Sequence, residues 1–237
     1  MPFKIALREV QSKSFFKRYL HVMAEARFAA GRPVGELWIA SGYFNGDYVS
    51  KEPHHKTTRT LPQAIALGCT KVRIFATREH VKPTKPGHMP HAVALRDFVA
   101  SIPTGVGVSV FGSAGATWHA KIALRVIDDQ PIAAIIGSSN ITRPPYCERP
   151  YLRASTWNYE CDVLIWTDQV EYNATFAAPV SEELGEGTEV LGQAVGSGDQ
   201  LSGASSIPDG RLEDQLRALK LRLEQQTTPQ ELGPIEQ

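Results

Sequence analysis

The most informative segment of this sequence is Trp118-His119-Ala120-Lys121, followed by a short apolar run and then by Gly137-Ser138-Ser139-Asn140. A histidine and a lysine two residues apart in a β-strand point to the same face, so we expect the His119 imidazole and the Lys121 ammonium to lie side by side. The alternating apolar residues that follow are typical of a buried strand. A nucleophile beside a fixed cation suits phosphoryl transfer, because positioning and charge stabilisation supply most of its catalysis.

The second half of the pattern is a strand predicted over residues 132–136 that breaks into Gly-Ser-Ser-Asn. Such a turn presents a hydroxyl, an amide and backbone N–H groups to an anion. We therefore expect Ser138 and Asn140 to hold a phosphate together with Lys121. Both residues could instead serve only a tight turn, and a lone His-x-Lys on a strand more often has a structural role.

His-x-Lys followed by Gly-Ser-x-Asn resembles the phospholipase D superfamily, specifically its short nuclease members with one motif per chain. The resemblance extends to Leu37–Phe44 upstream and Asn158–Ile165 downstream, and thus covers roughly residues 35–166. It implies an α/β fold, a phospholipase D-like mixed β-sheet flanked by helices on both faces. In one departure, Val126 occupies the position, five residues after the lysine, where the family pattern usually has an aspartate, and Asp128 and Asp129 are displaced into a predicted hairpin turn.

The resemblance also implies a metal-independent phosphodiesterase that uses no cofactor. Its catalytic residues here would be His119, Lys121, Ser138, Asn140 and Glu160, where Glu160 replaces the missing aspartate and orients the histidine. Glu160 could alternatively be a surface residue of an edge strand. The mechanism needs two histidines on opposite sides of the phosphate, so a chain with one motif is expected to form a homodimer around one composite site.

Charge indicates the substrate class. Residues 1–160 hold 21 Lys and Arg against 11 Asp and Glu, whereas residues 161–237 hold 4 against 14. A basic surface attracts polyphosphates without sequence preference, which favours nucleic acid, although an ordinary solvated surface with an acidic tail gives the same balance. The predicted substrate-binding residues are Ser41, Tyr43, Arg143, Arg149, Arg153 and Trp157. In the loop that carries the last four, cations could hold phosphates and rings could stack on bases, or the aromatic side chains could pack on the sheet.

Four functions remain open. The leading hypothesis is an endonuclease acting on DNA, of the restriction or phage-defence type. An RNA nuclease and a phosphatidyl transferase use the same chemistry. The fourth is a nucleic-acid-binding subunit of a DNA modification or defence assembly, with partner proteins and little activity of its own, which Val126 suggests.

Composition gives expectations about membrane association, cellular location and metal binding. No stretch approaches the roughly 20 apolar residues of a membrane span, and charges interrupt the first 31 residues, where a signal peptide needs an apolar run. Three cysteines without paired spacing fit reduced thiols, so we expect a cytoplasmic protein without membrane association. The histidine pairs at 54–55 and 88/91 have no carboxylate or cysteine at usable spacing, and we predict no metal.

The chain is predicted to divide into a catalytic domain, residues 1–170, and a second part, residues 171–237. The second part would contain an acidic, Gly/Ser-rich linker over residues 185–210 and a short amphipathic helix with its leucines on one stripe. We expect this helix to dock on the body or to pair with a second copy. Other predicted elements are a helix from Ser12 or Ser14 to Gly31, a first strand from Glu36, a helix capped by Thr60 that ends at Gly68, a strand over 71–76, a loop over 78–90, a helix over 91–100 and a strand over 106–111.

Overall fold

The structure of the chain is a computed structural model. It describes residues 2–9, 15–26, 33–42, 44, 58–83, 85–113, 121–138, 159–167, 173–178, 190–197, 212–225 and 227–229. The elements are β1 (Pro2–Glu9), α1 (Phe15–Glu25), β2 (Glu36–Ala40), α2 (Leu61–Gly68), β3 (Lys71–Thr77), α3 (Arg78–Val81), a 3-10 turn (Pro86–His88), α4 (Met89–Ser101), β4 (Gly107–Ser113), β5 (Lys121–Ile127), β6 (Gln130–Gly137), β7 (Tyr159–Trp166), α5 (Asn173–Ala177), β8 (Val190–Ser197), α6 (Leu212–Gln225) and β9 (Thr227–Pro229).

Within these residues the strands form one mixed sheet in the order β8-β1-β7-β6-β5-β2-β3-β4-β9. Strands β2, β3 and β4 are parallel to one another, and the other neighbouring pairs are antiparallel. Parallel neighbours need a crossover connection, and helices α2 and α4 lie in the two crossovers. The predicted α/β class and mixed sheet are confirmed.

Helices cover both faces of the sheet, because the side chains of its central strands alternate between two apolar cores. On β2, Leu37 and Ile39 belong to the larger core, which also includes residues of α1, α2, α4 and α5. Trp38 and Ala40 belong to the smaller core under α6. Alternation along a strand therefore decides which helix each residue meets.

Several local predictions are confirmed. Helix α2 begins directly after Thr60, whose backbone N–H donates to Gln63 Oε1 at 2.9 Å. This bond satisfies a donor at the helix start. The hairpin between β5 and β6 turns at Asp128 and Asp129, both with positive φ, 48° and 63°, a conformation that aspartate tolerates better than most residues.

Strand β1 differs from the prediction. The sequence pattern places the first strand at Glu36, whereas β1 precedes α1 and lies between β7 and β8. Its pattern is hidden because Lys4 is fully buried, with its ammonium donating to the Tyr19 hydroxyl at 3.0 Å. A buried charge that a tertiary contact satisfies does not show in a hydropathy pattern.

Two predictions of irregular structure are also wrong. Residues 78–90, predicted as a loop, contain α3, the 3-10 turn and the start of α4. Prolines at 86 and 90 stand in first turns, where the missing N–H costs nothing, so they begin these elements and do not break them. Within the predicted linker, residues 190–197 form β8, which gains its hydrogen bonds from β1. The division of the chain at residue 170 stays a prediction.

The C-terminal helix docks on the body, as predicted. Leu216 and Leu223 are each 1% exposed and pack in the smaller core with Trp38 and Phe75. After the helix, β9 pairs with β4 at the far edge of the sheet. The described end of the chain therefore covers one sheet face and extends one edge.

A buried arginine connects β5 to the helices above it. Arg125 is fully buried, and its guanidinium donates to the carbonyl oxygens of Val34 and Gly68, both at 2.6 Å, and to Cys69 Sγ. Burial raises the pKa of the Cys69 thiol, and the nearby guanidinium opposes that shift. Through these bonds Arg125 anchors β5 beneath the end of α2.

Candidate active site

The described residues of the motif lie at one end of the sheet, where β2 and β6 end and β5 and β7 begin. Strand β5 runs antiparallel to β2, so it starts where β2 ends, with Ala40 opposite Ile122. Strand β6 ends opposite that start, with Gly137 opposite Lys121, and β7 begins next to it, with Gly137 opposite Asp162. The topology therefore brings the start of β5, the end of β6 and the start of β7 together.

Lys121 is the first residue of β5 and is 7% exposed. It shares a strand face with Ala123 and Arg125. Since Ala123 belongs to the larger core, Lys121 lies on the sheet face that α1 covers. His119 lies outside the described residues, so its predicted place beside Lys121 stays a prediction, as does the role of Asn140.

Ser138 is exposed and continues the pairing of β6 with β7 past Gly137. Its backbone N–H donates to Cys161 O at 3.1 Å, and its hydroxyl oxygen accepts from Cys161 N–H at 3.1 Å. The turn predicted to hold phosphate thus starts on a residue bound to the backbone of the next strand. Lys121 at the start of β5 and Ser138 directly after β6 therefore lie at the same end of the sheet, and their roles stay predictions.

Sequence reasoning missed Asp162. This residue is fully buried and stands in one cross-strand row with Gly137 and Lys121. A methyl group on Gly137 would meet Asp162 Oδ1 and would lie 2.6 Å from Cys161 O, so the carboxylate of Asp162 lies over the glycine. The available signal was an acidic residue inside the apolar run of β7, two positions from Glu160 and therefore on the same face.

The other predicted residues have the following places. The backbone of Glu160 lies in β7 opposite Arg8, and its side chain is outside the described part of the chain. Ser41 directly follows β2 and is fully buried, with its N–H donating to Phe75 O at 3.1 Å. The remaining predicted substrate-binding residues lie outside the described residues, namely Tyr43, Arg143, Arg149, Arg153 and Trp157.

Helix α1 adds two buried polar residues that its amphipathic pattern did not indicate. It packs over β5, β6 and β7, and its Lys17 and His21 are both fully buried. Both side chains belong to the helix that packs over the sheet face of Lys121. A hydropathy pattern cannot show them, because it treats each lysine and histidine as a solvent-facing residue.

Three histidine rings lie close together in the segment that follows β3, at the same end of the sheet. The His80 ring centroid lies 4.8 Å from that of His91 and 5.8 Å from that of His88. His80 is 5% exposed, and the sequence had suggested only His88 and His91 as a pair. In the part of the chain that the structure describes, no group of three or more His, Cys, Asp or Glu is placed to hold a metal ion.

A scan against models of known protein families finds no match for this chain, and a search of curated proteins finds no related protein. The phospholipase D resemblance therefore depends on the motif residues themselves. Among the helices that are described, none is both long and apolar enough to cross a membrane.

Proposed function

We propose that this chain is a phospholipase D-like, metal-independent phosphodiesterase that cleaves nucleic acid, with DNA favoured, as a cytoplasmic restriction or phage-defence nuclease. The observation that carries the proposal is the strand register, which places Lys121 at the start of β5, Ser138 directly after β6 and Asp162 in β7 at the same end of the sheet. Because β5, β6 and β7 are adjacent in the sheet, motif segments that are distant in sequence lie next to one another. The basic balance of residues 1–160 supports a polyphosphate substrate.

The proposed reaction has two displacements. His119 of one subunit attacks phosphorus and forms a phosphohistidine, while His119 of the partner subunit donates a proton to the leaving oxygen. The partner's His119 then takes a proton from water, and the resulting hydroxide cleaves the phosphorus–nitrogen bond. Lys121, Ser138 and Asn140 would hold the nonbridging oxygens, and Glu160 would fix the histidine tautomer.

The proposed scheme uses cations and amide donors where many nucleases use magnesium, so activity should survive chelation. Purified protein is incubated with duplex DNA, single-stranded DNA, RNA, a phospholipid and a chromogenic phosphodiester in excess EDTA. Cleavage of DNA supports the proposal. Preference for RNA or for lipid identifies one of the alternative substrates, and loss of all cleavage in EDTA contradicts the metal-independent mechanism.

One observation favours a second function, a nucleic-acid-binding subunit with little activity and with partner proteins. Val126, at the position of the missing aspartate, is 3% exposed and packs in the smaller core with Trp38 and Leu124, on the opposite sheet face from Lys121. This position therefore supplies no polar group to the Lys121 face. DNA binding without cleavage in the assay above would select this function.

A further inference from the structure

We propose that Arg78, Lys82 and Lys85, in and directly after α3, form a surface that binds the phosphate backbone of duplex DNA beside the candidate active site. These three residues are called the α3 surface. They lie outside the motif. The inference rests on the proposed function for the identity of the polyphosphate, but binding to the α3 surface can be measured without cleavage.

The strand register places the α3 surface at the same end of the sheet as the motif. Ala40 pairs with Ile122 of β5 on one side and with Phe75 of β3 on the other. Neighbouring strands lie about 4.8 Å apart, so roughly 10 Å separates Phe75 from Ile122. Lys121 precedes Ile122, and α3 follows Thr77 at the end of β3. Both therefore lie beyond this row in the same direction.

Helices α3 and α4 also cover the sheet face to which Lys121 belongs. Val81 of α3 and Leu95 of α4 are fully buried in the larger core. Ala123, two residues after Lys121 on β5, belongs to the same core. A DNA strand has one phosphate for about every 3.4 Å of helix axis, so a separation of roughly 10 Å corresponds to about three phosphates. One DNA strand can therefore contact both places.

The three cations are available to a ligand. Arg78, Lys82 and Lys85 are exposed, and no ion pair within the described part of the chain involves them. In contrast, Lys71 and Arg217 both form ion pairs with carboxylates. Cations without a carboxylate partner keep their positive potential for an anionic ligand.

The histidine cluster in the same segment adds no negative charge. The ring centroid of the buried His80 lies 5.8 Å from that of His88 and 4.8 Å from that of His91. An imidazole is neutral or cationic, so it does not offset the charge of the lysines. Positions 78–91 contain one carboxylate, Glu79, against three Lys and Arg. The segment is therefore cationic whether or not its histidines are protonated.

The backbone that carries the two lysines is ordered by local hydrogen bonds. Lys82 N–H donates to Arg78 O at 2.8 Å, and the preceding residue, Val81, is buried. His88 N–H donates to Lys85 O at 3.0 Å. An ordered backbone reduces the conformational entropy that is lost on binding. These bonds therefore favour the α3 surface as a preformed binding site.

The salt dependence of DNA binding tests the proposal. Arg78→Gln, Lys82→Gln and Lys85→Gln are combined in a His119→Ala parent, which should not cleave, and affinity for a fluorescent duplex is measured in EDTA at several salt concentrations. Each phosphate contact contributes about 0.9 to the slope of log K against log salt, so the slope should become shallower by about 2.7. A change below about 0.9, the value for one contact, would overturn the proposal, as would a parent that binds no DNA.

A control variant changes the net charge equally. It combines Lys71→Gln, Arg217→Gln and Arg222→Gln in the same parent. Lys71 begins β3, at the opposite end of the sheet from α3, and both arginines lie on α6, which covers the other sheet face. The control should keep the slope of the parent. An equal change in both variants would show that only net charge matters and would refute the α3 surface.

Further outcomes separate this proposal from the proposed function. Loss of binding to phosphatidylglycerol vesicles, with DNA binding unchanged, would assign the cations to lipid headgroups and overturn the proposal. If the wild-type protein cleaves no phosphodiester but the α3 variant loses DNA affinity, the proposed function fails and the α3 surface stands. If the wild-type protein cleaves DNA and the α3 variant keeps the slope of its parent, the α3 surface fails and the proposed function stands.

Discussion

The Lys220 ammonium lies 2.7 Å from Asp129 Oδ1, so the C-terminal helix is tied to the turn between β5 and β6. The same ammonium lies 3.2 Å from Glu224 and stands over the Trp38 ring. Lys220 is 5% exposed, whereas the Asp129 side chain is 83% exposed. A mostly buried cation is therefore satisfied by a carboxylate at the surface.

Replacing Asp129 should change the acid stability of the protein. The hydrogen bond from Lys220 lowers the pKa of Asp129, so its stabilisation is complete above the ordinary aspartate pKa and is lost as pH falls through the lowered value. Asp129→Asn keeps a residue that tolerates positive φ and removes the charge. We expect a lower melting temperature than wild type near neutral pH and a converging one in strong acid. The control is Asp128→Asn in the same turn, and equal pH profiles for the two variants would contradict the expectation.

The contribution of Lys220 to stability depends on pH in the opposite direction. Burial disfavours the charge of Lys220, but hydrogen bonds to Asp129 and Glu224 outweigh burial and raise its pKa. Its stabilisation is therefore complete below the ordinary lysine pKa and is lost as pH rises through the raised value. Lys220→Met should remove this alkaline dependence in melting experiments. A slope at high pH that persists unchanged in the variant would show that other groups cause it.

Helix α6 should contribute to stability through its buried leucines. Leu216→Ala leaves a cavity in the smaller core and should reduce the free energy of unfolding by about 2–5 kcal/mol. Leu221→Ala on the same helix is the control, since Leu221 is 51% exposed and surface changes usually stay within about 0.5 kcal/mol. Equal losses measured in urea would contradict the docked helix.

Gly137 should not tolerate a methyl group. Gly137→Ala forces β6 and β7 apart at the candidate site and should cost about 1–3 kcal/mol of unfolding free energy, as overpacking does. Gly105→Ala serves as the control, because nothing lies within 4 Å of the added Cβ. A Gly137→Ala protein as stable as the Gly105→Ala protein would show that Asp162 does not occupy that space.

The proposed active site shared by two subunits predicts the behaviour of mixed dimers. His119→Ala should abolish cleavage and leave dimerisation intact, as judged by light scattering. When wild-type chains are refolded with excess variant, mixed dimers lack one of the two required histidines and should be inactive. Activity that declines only in proportion to dilution would indicate an independent site in each chain.

Sequence patterns predicted the elements whose causes are local. The cap at Thr60, the apolar stripe of α6 and the turn at Asp128 and Asp129 all depend on residues close in the chain. The patterns failed where a contact with a distant segment buries a polar residue that the pattern places in solvent. Lys4 reads as solvent-facing, yet the Tyr19 hydroxyl accepts its hydrogen bond in the interior.

The candidate site divides in the same way. The spacing of Lys121 and Ser138 identified two motif residues that lie at the same end of the sheet in the structure. The spacing did not identify Asp162, because its importance depends on which strand lies next to β7 and on a neighbour without a side chain.

Local properties of the amino-acid sequence predicted the α/β class, the positions of most helices and strands, and the uneven charge, because propensity, periodicity and composition act over short ranges. Contacts between distant segments account for three features that no local pattern indicated: β1 and β8 extend the sheet, Arg125 anchors β5, and Asp162 lies over Gly137 in the row of Lys121. These features depend on strand order and burial. A buried charge or a close backbone approach contributes to the free energy of folding only when distant segments of the chain are in contact.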